Sequence, residues 1–164
     1  PQDITLIVMT HGHFDHTGLG AWFMEIYQTP VLMHRQAAMK VESGDMFFGS
    51  TKVSGLQKWL VNKLFRIDTF IPNLIVDEGV SLEPYGFNGR IILTPGHSDG
   101  SISILLEHGQ LISGDLFENQ GTPKLNSIMD NIDEAQKSLD LLRDYSINKV
   151  YPGHGDVFEF RSLL

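Results

Sequence analysis

The chain has 164 residues and no cysteine, which suits one domain spanning 1–164 and excludes disulfides, thiolate metal sites and a thiol nucleophile. The formal charge of −8 argues against a nucleic-acid backbone as partner, since such binding relies on clustered Lys and Arg. Apolar residues make up 41%, enough for a core, yet no apolar run approaches the roughly 18 residues of a membrane span and no leader is visible. A cytoplasmic protein without a membrane partner is the expectation.

In chain order, Ile4 to Met9 reads as a buried strand, a short apolar run rich in β-branched residues. The loop THGHFDHTG follows at once. A helix then starts at Leu19, with Trp22, Phe23 and Ile26 on one face, and Pro30 ends it. Val31 to His34 is a second buried strand. Residues 36–72 are less regular, and Gly44, Gly49 and Gly55 break them into pieces. Their clearest element is a helix from the N-cap Ser54 to Arg66, with Leu56, Trp59, Leu60, Val61 and Leu64 as an apolar side. Core packing is the first reading of that side. A helical lid insertion over a substrate pocket is the second.

From residue 74 the pattern turns to strands: LIV at 74–76, SLEPY, RIILTP, SISILLE and QLISGD. Glu107, His108 and Gly109 form a hairpin between the last two. A helix capped by Asn131 or Asp130 covers Ile132 to Tyr145, with Ala135, Leu139 and Leu142 facing one core. KVYPGHG adds a last strand and loop. A β-sheet core with amphipathic helices packed on it is the natural architecture.

Five of the seven histidines sit in Gly-flanked loops at strand ends. His11, His13, Asp15 and His16 are the densest group. Imidazole and carboxylate together suit Zn, Fe or Mn. On a helix, residues two apart diverge, whereas in extended chain they point the same way, so His11 and His13 can converge just after a strand. Gly12, Gly18 and Gly20 are expected to free the backbone for the turn that follows. Three further loops offer His97, Asp115 and His154, each after a strand.

The segment THGHFDH resembles the His-x-His-x-Asp-His signature of the metallo-β-lactamase superfamily. TPGHSDGS looks like that family's second His motif, SGD its bridging carboxylate and PGHG its last His, in the right order. The resemblance implies an α/β fold (α+β by some schemes), an αββα sandwich that lacks some N-terminal strands in this chain. It also implies two divalent ions, Zn first, with Fe or Mn as the alternatives. His11, His13 and His97 would hold one ion, Asp15, His16 and His154 the other, and Asp115 would bridge both. Asp15 would also orient the nucleophile or move a proton to the leaving group.

The branch follows from departures. Asp115 stands where typical zinc β-lactamases carry Cys, and His13 where diiron flavoprotein oxidoreductases carry Glu. GDLF and the helix before PGHG look most like the glyoxalase II-like hydrolases. The expected function is hydrolysis of a small ester, thioester or lactone by a metal-bridging hydroxide, with a small acyl compound as substrate. A phosphodiesterase or nuclease on the same centre, or a noncatalytic metal-binding domain, are the alternatives. An open sheet edge would invite a homodimer. Thr10, Ser98 and Ser113 are expected to hydrogen-bond a ligand's second nitrogen or the local backbone. His34 is expected to be structural and His108 to be solvated. Lys124 and Asn126 are expected in a solvated loop, and Tyr151 as a packed aromatic.

Overall fold

Val31, Leu32 and Met33 are fully buried, and a run buried on both faces is what the middle strand of a parallel sheet requires. A computed structural model describes residues 1–49, 53–65, 68–77 and 79–163. Its backbone forms two compact units, Pro1–Val76 and Asp77–Leu164.

In the first unit, β2 (Val31–His34) lies between β1 (Ile7–Val8) and β3 (Leu74–Val76), all parallel, with Ile7 opposite Val31 and Leu32 opposite Leu74. The strand expected over Ile4 to Met9 shrinks to two residues. Ile4 is exposed, while Leu6 and Met9 are buried as flanks of β1. The four-residue helix α1 (Phe14–Thr17) follows, then α2 (Gly20–Tyr27), which ends on Gln28 in the left-handed region. Trp22 and Ile26, expected on one face of α2, are both exposed. The contacts that seat α2 come instead from Gly20, close to Met9 and Phe70, and from Met24 in the core.

Residues 36–72, expected to be irregular, contain the helix α3 (Arg35–Ser43), capped by the His34 ring and stopped by Gly44 at φ 65°. Its Ala37, Ala38 and Val41 complete a core with Met9, Val31, Met33 and Met46. The helix α4 (Gly55–Leu64) starts after the N-cap Ser54, as expected, and Ser54 forms a full capping box with Gln57. Arg66, the expected end of that helix, lies outside the described residues. The apolar side of α4 is not in the core: Leu56, Trp59, Leu60 and Leu64 are all exposed.

The second unit is a sheet in the order β4 (Gly89–Leu93), β5 (Ile102–Leu106), β6 (Gln110–Asn119), β8 (Lys149–Gly155), β9 (Phe158–Glu159), with β7 (Pro123–Leu125) also on β6. The expected hairpin joins β5 and β6, with Gly109 at φ 73°. The segment SLEPY is not a strand. Glu83–Tyr85 is a 3-10 turn with Pro84 inside it, and only Ser81 bridges to Arg90. Helix α5 (Ile132–Leu142) is capped by Asn131, whose Oδ1 accepts from Asp133 N and Glu134 N. It carries the chain from β6 to the parallel β8, as a parallel pair requires. Ala135, Leu139 and Leu142 pack on Leu111, Leu116, Phe117 and Val150.

Candidate metal-binding residues

The first motif is half extended and half helical. His13 stands just before α1 in extended conformation, φ −82° and ψ 153°, while His11 and Gly12 form a bend rather than extended chain, and the side chains of His11 and His13 still converge. Their rings lie 4.7 Å apart, centre to centre. The turn after His13 is a single turn of helix, in which the Thr17 hydroxyl donates to His13 O at 3.0 Å. That turn brings the His16 ring to 4.2 Å from the His11 ring and His16 Nε2 to 3.6 Å from Asp15 Oδ2. The first unit thus gathers all four of its expected ligands. His11 is fully buried, and its Nδ1 meets the Thr10 hydroxyl at 3.1 Å, the contact anticipated for Thr10.

The glycines act differently from expectation. None of Gly12, Gly18 and Gly20 has positive φ, so they do not supply left-handed freedom. Gly12 supplies room: a Cβ there would come within 2.8 Å of Ala37 O and 3.0 Å of Lys40 Cβ. Helix α3, invisible in the sequence pattern, presses directly on the His11–His13 segment.

In the second unit His97 follows β4, and α5 fixes its loop. Asn131 N donates to Gly96 O at 2.9 Å, and the Ser138 hydroxyl donates to Pro95 O at 2.7 Å. Gly96 sits at φ 140° with Ala135 atoms 2.4–2.5 Å from where a Cβ would be, so only glycine fits. The His97 Nδ1–H donates to Ile128 O at 2.7 Å. That carbonyl only accepts, so the proton is on Nδ1 and the lone pair of the neutral ring is on Nε2. The Ile128 carbonyl is set by Asn126, whose Oδ1 accepts from Ile128 N at 2.8 Å. Asn126 is buried, which corrects the solvated loop expected there.

Asp115 and His154 come from neighbouring parallel strands, β6 and β8. The β6–β8 register shifts between Ile112 and Gly114 and again before Glu118. Such irregularities re-aim side chains, and Asp115 lies inside one of them. Pro152, which has no N–H for the ladder, pairs opposite Gly114 at that interruption. His154 is on strand β8 rather than in a loop. His97 Nε2 and His154 Nε2 each lie 3.5 Å from Asp115 Oδ2.

That separation tests whether the residues suit a metal. It is long for an N–H···O bond. Two ligand atoms at 2.0–2.1 Å on one tetrahedral ion are about 3.4 Å apart. In the neutral ring the Nε2 lone pair would face a carboxylate oxygen, an arrangement that a cation between them favours. The Asp115 carboxylate is 6% exposed, and a buried negative charge calls for a positive one. Donor types, spacing and burial all fit a divalent ion.

One residue that sequence reasoning missed stands beside His154. Glu118 is its register partner across β6 and β8 and is buried. It accepts from the Ser127 hydroxyl and, at 3.2 Å, from Ser127 N, and Lys124 Nζ lies 3.2 Å away. The Ser127 hydroxyl, with help from Lys124, holds the Glu118 carboxyl below its ordinary range against the opposing effect of burial. Lys124 is therefore an ion-pair partner on β7. Ser98 bonds to Ser101, and Ser113 donates to Gly114 O. His34 caps α3, His108 is exposed, and Tyr151 is half-buried on β8.

The profile of the metallo-beta-lactamase superfamily matches residues 1–154, and the chain belongs to that superfamily. It is a metallo-hydrolase by class, with divalent metal ions as its cofactors. A probable metallo-hydrolase of Methanocaldococcus jannaschii is 33% identical over 95% of this chain and 72% of its own length. The human acyl-coenzyme A thioesterase MBLAC2 is 27% identical over 97% of this chain, which spans 59% of that protein. Among solved structures, a di-iron-bound form of TTHA1623 superposes with a TM-score of 0.73 at 26% identity, covering 96% of this chain and 73% of that one. The metallo-β-lactamase fold expected from the motifs is therefore the fold of this chain. No helix among the described residues is long and apolar enough to cross a membrane.

Proposed function

We propose that the chain is a dinuclear hydrolase of a small ester, thioester or lactone. One ion would be held by His11, His13 and His97 and the other by Asp15, His16 and His154, with Asp115 shared. Support comes from the motif order and from the ligand geometry inside each unit. The observation that carries the proposal is the placement of two imidazole nitrogens at 3.5 Å from one Asp115 oxygen. The name of the thioesterase relative favours an acyl thioester within this class.

Bound divalent ions would supply Lewis acidity and a water deprotonated near neutral pH. The residues supply the rest. Ile128 O, held by Asn126, keeps the His97 Nε2 lone pair aimed at Asp115. The Thr10 hydroxyl is hydrogen-bonded to His11 Nδ1 and holds that ring. Asp15 is exposed beside His16, where a carboxylate can take the proton of an attacking water and pass it to a leaving group.

The test is a panel of short acyl thioesters, lactones and a phosphodiester, assayed with Zn, Mn or Fe. The expected result is acyl hydrolysis that requires both metal and Asp115. Preference for the phosphodiester, or no metal-dependent turnover, would overturn the proposal.

A further inference from the structure

Helix α4 is turned inside out relative to an ordinary surface helix. Its inner side is largely polar: Asn62 Nδ2 donates to Asp45 Oδ1 at 2.7 Å and Lys58 Nζ to Phe47 O at 3.1 Å, with Val61 alone reaching the core cluster. Its outer side is Leu56, Trp59, Leu60 and Leu64, between 58% and 74% exposed. These positions follow the i, i+3, i+4, i+8 spacing of one helical stripe. Water is a poor solvent for four large apolar side chains on one stripe, and such patches mark contact surfaces.

Charge narrows the choice of occupant. Residues 46–67 contain Lys52, Lys58, Lys63 and Arg66 and no acidic residue, in a chain whose formal charge is −8. Lys63 Nζ stands 4.9 Å over the Trp59 ring, at the edge of the apolar stripe. A second copy of the chain packed on this stripe would bring Lys63 toward its own counterpart. Leu, Trp and Lys together on one helical face suit an interface between apolar tails and anionic headgroups.

We propose that α4 docks the protein on an anionic lipid surface, with Leu56, Trp59, Leu60 and Leu64 entering the headgroup boundary. This is contact with a membrane surface rather than a span, and it revises the expectation of no membrane partner.

Co-sedimentation of the protein with phosphatidylcholine vesicles, with and without phosphatidylserine, tests it. The expected result is binding to the phosphatidylserine vesicles that is at least tenfold weaker in the L60S/L64S variant and in high salt. Trp59 emission should shift to the blue on binding. The substituted side chains are exposed, so an unchanged thermal melt will show that the variant folds. Absence of vesicle binding would overturn the proposal. So would binding that the variant leaves unchanged, or a concentration-dependent dimer lost in the variant, which would assign the stripe to a second copy. A changed acyl-chain preference without vesicle binding would assign it to the substrate and would equally overturn it.

Discussion

Asp115 concentrates the electrostatic demand of the second unit, since a carboxylate that is 6% exposed receives two imidazole nitrogens on one oxygen. Asp115→Asn keeps its shape and removes its charge. Bound metal should fall on elemental analysis, and turnover should drop by more than the roughly 10–100-fold that loss of an outer hydrogen-bond partner costs. Asn126 is such an outer partner, because it sets the Ile128 carbonyl that orients His97. Asn126→Ala should weaken metal affinity about 10–100-fold in a competition titration while leaving every ligand in place. Glu118 makes a separate prediction. Its carboxyl is held low, so its contribution to stability is full above the ordinary Glu value of about 4.3 and is lost as pH falls through the lowered folded value. Ser127→Ala removes the largest cause of that lowering. The acid-unfolding midpoint followed by circular dichroism should therefore move to higher pH, and an unchanged midpoint would contradict the assignment.

Among the elements, α5 does most to place a ligand. It meets the Pro95–His97 segment through Asn131 and Ser138, and its Ala135 leaves no space for a side chain at residue 96. Gly96→Ala should cost at least about 1–3 kcal/mol in urea unfolding, from overpacking and strained φ together. The start and core face of helix α5 were legible in the sequence, because its cap and its apolar spacing agree, while its end lies at Leu142, short of the Tyr145 expected. Strand β2 was legible too, since four apolar or half-buried residues ending before a polar stretch leave little choice. Helix α3 was missed because its core face is made of Ala37, Ala38 and Val41, small side chains that give a weak apolar signal. The outer side of α4 misled for the opposite reason: Leu56 and Leu60 carry the right spacing but face solvent. Periodicity shows that a helix has two faces and does not show which of them is covered. Among the proposed site residues, the donor types and their order are legible in the motifs themselves. Of the supports around them, Glu118 depends on its pairing with Lys124 and His154 across β6, β7 and β8, and Ile128 on a contact with His97, 31 residues away in sequence; no local pattern reveals either.

At the scale of the molecule, the residues named by the motifs divide between the two units: His11, His13, Asp15 and His16 belong to the first and His97, Asp115 and His154 to the second. The proposed ligand sets name residues of both, so the proposal predicts that removing any one of them disables activity. His13→Ala and His154→Ala should each abolish activity, and the double variant should be no worse than either, as for residues that act as a unit. The most direct test of the account is the metal content of the protein, stripped by chelator and then reloaded with Zn, Mn or Fe. The account predicts about two tightly bound ions per chain, falling when Asp115 is replaced by Asn. Fewer than one ion per chain, or two ions bound without regard to Asp115, would contradict it.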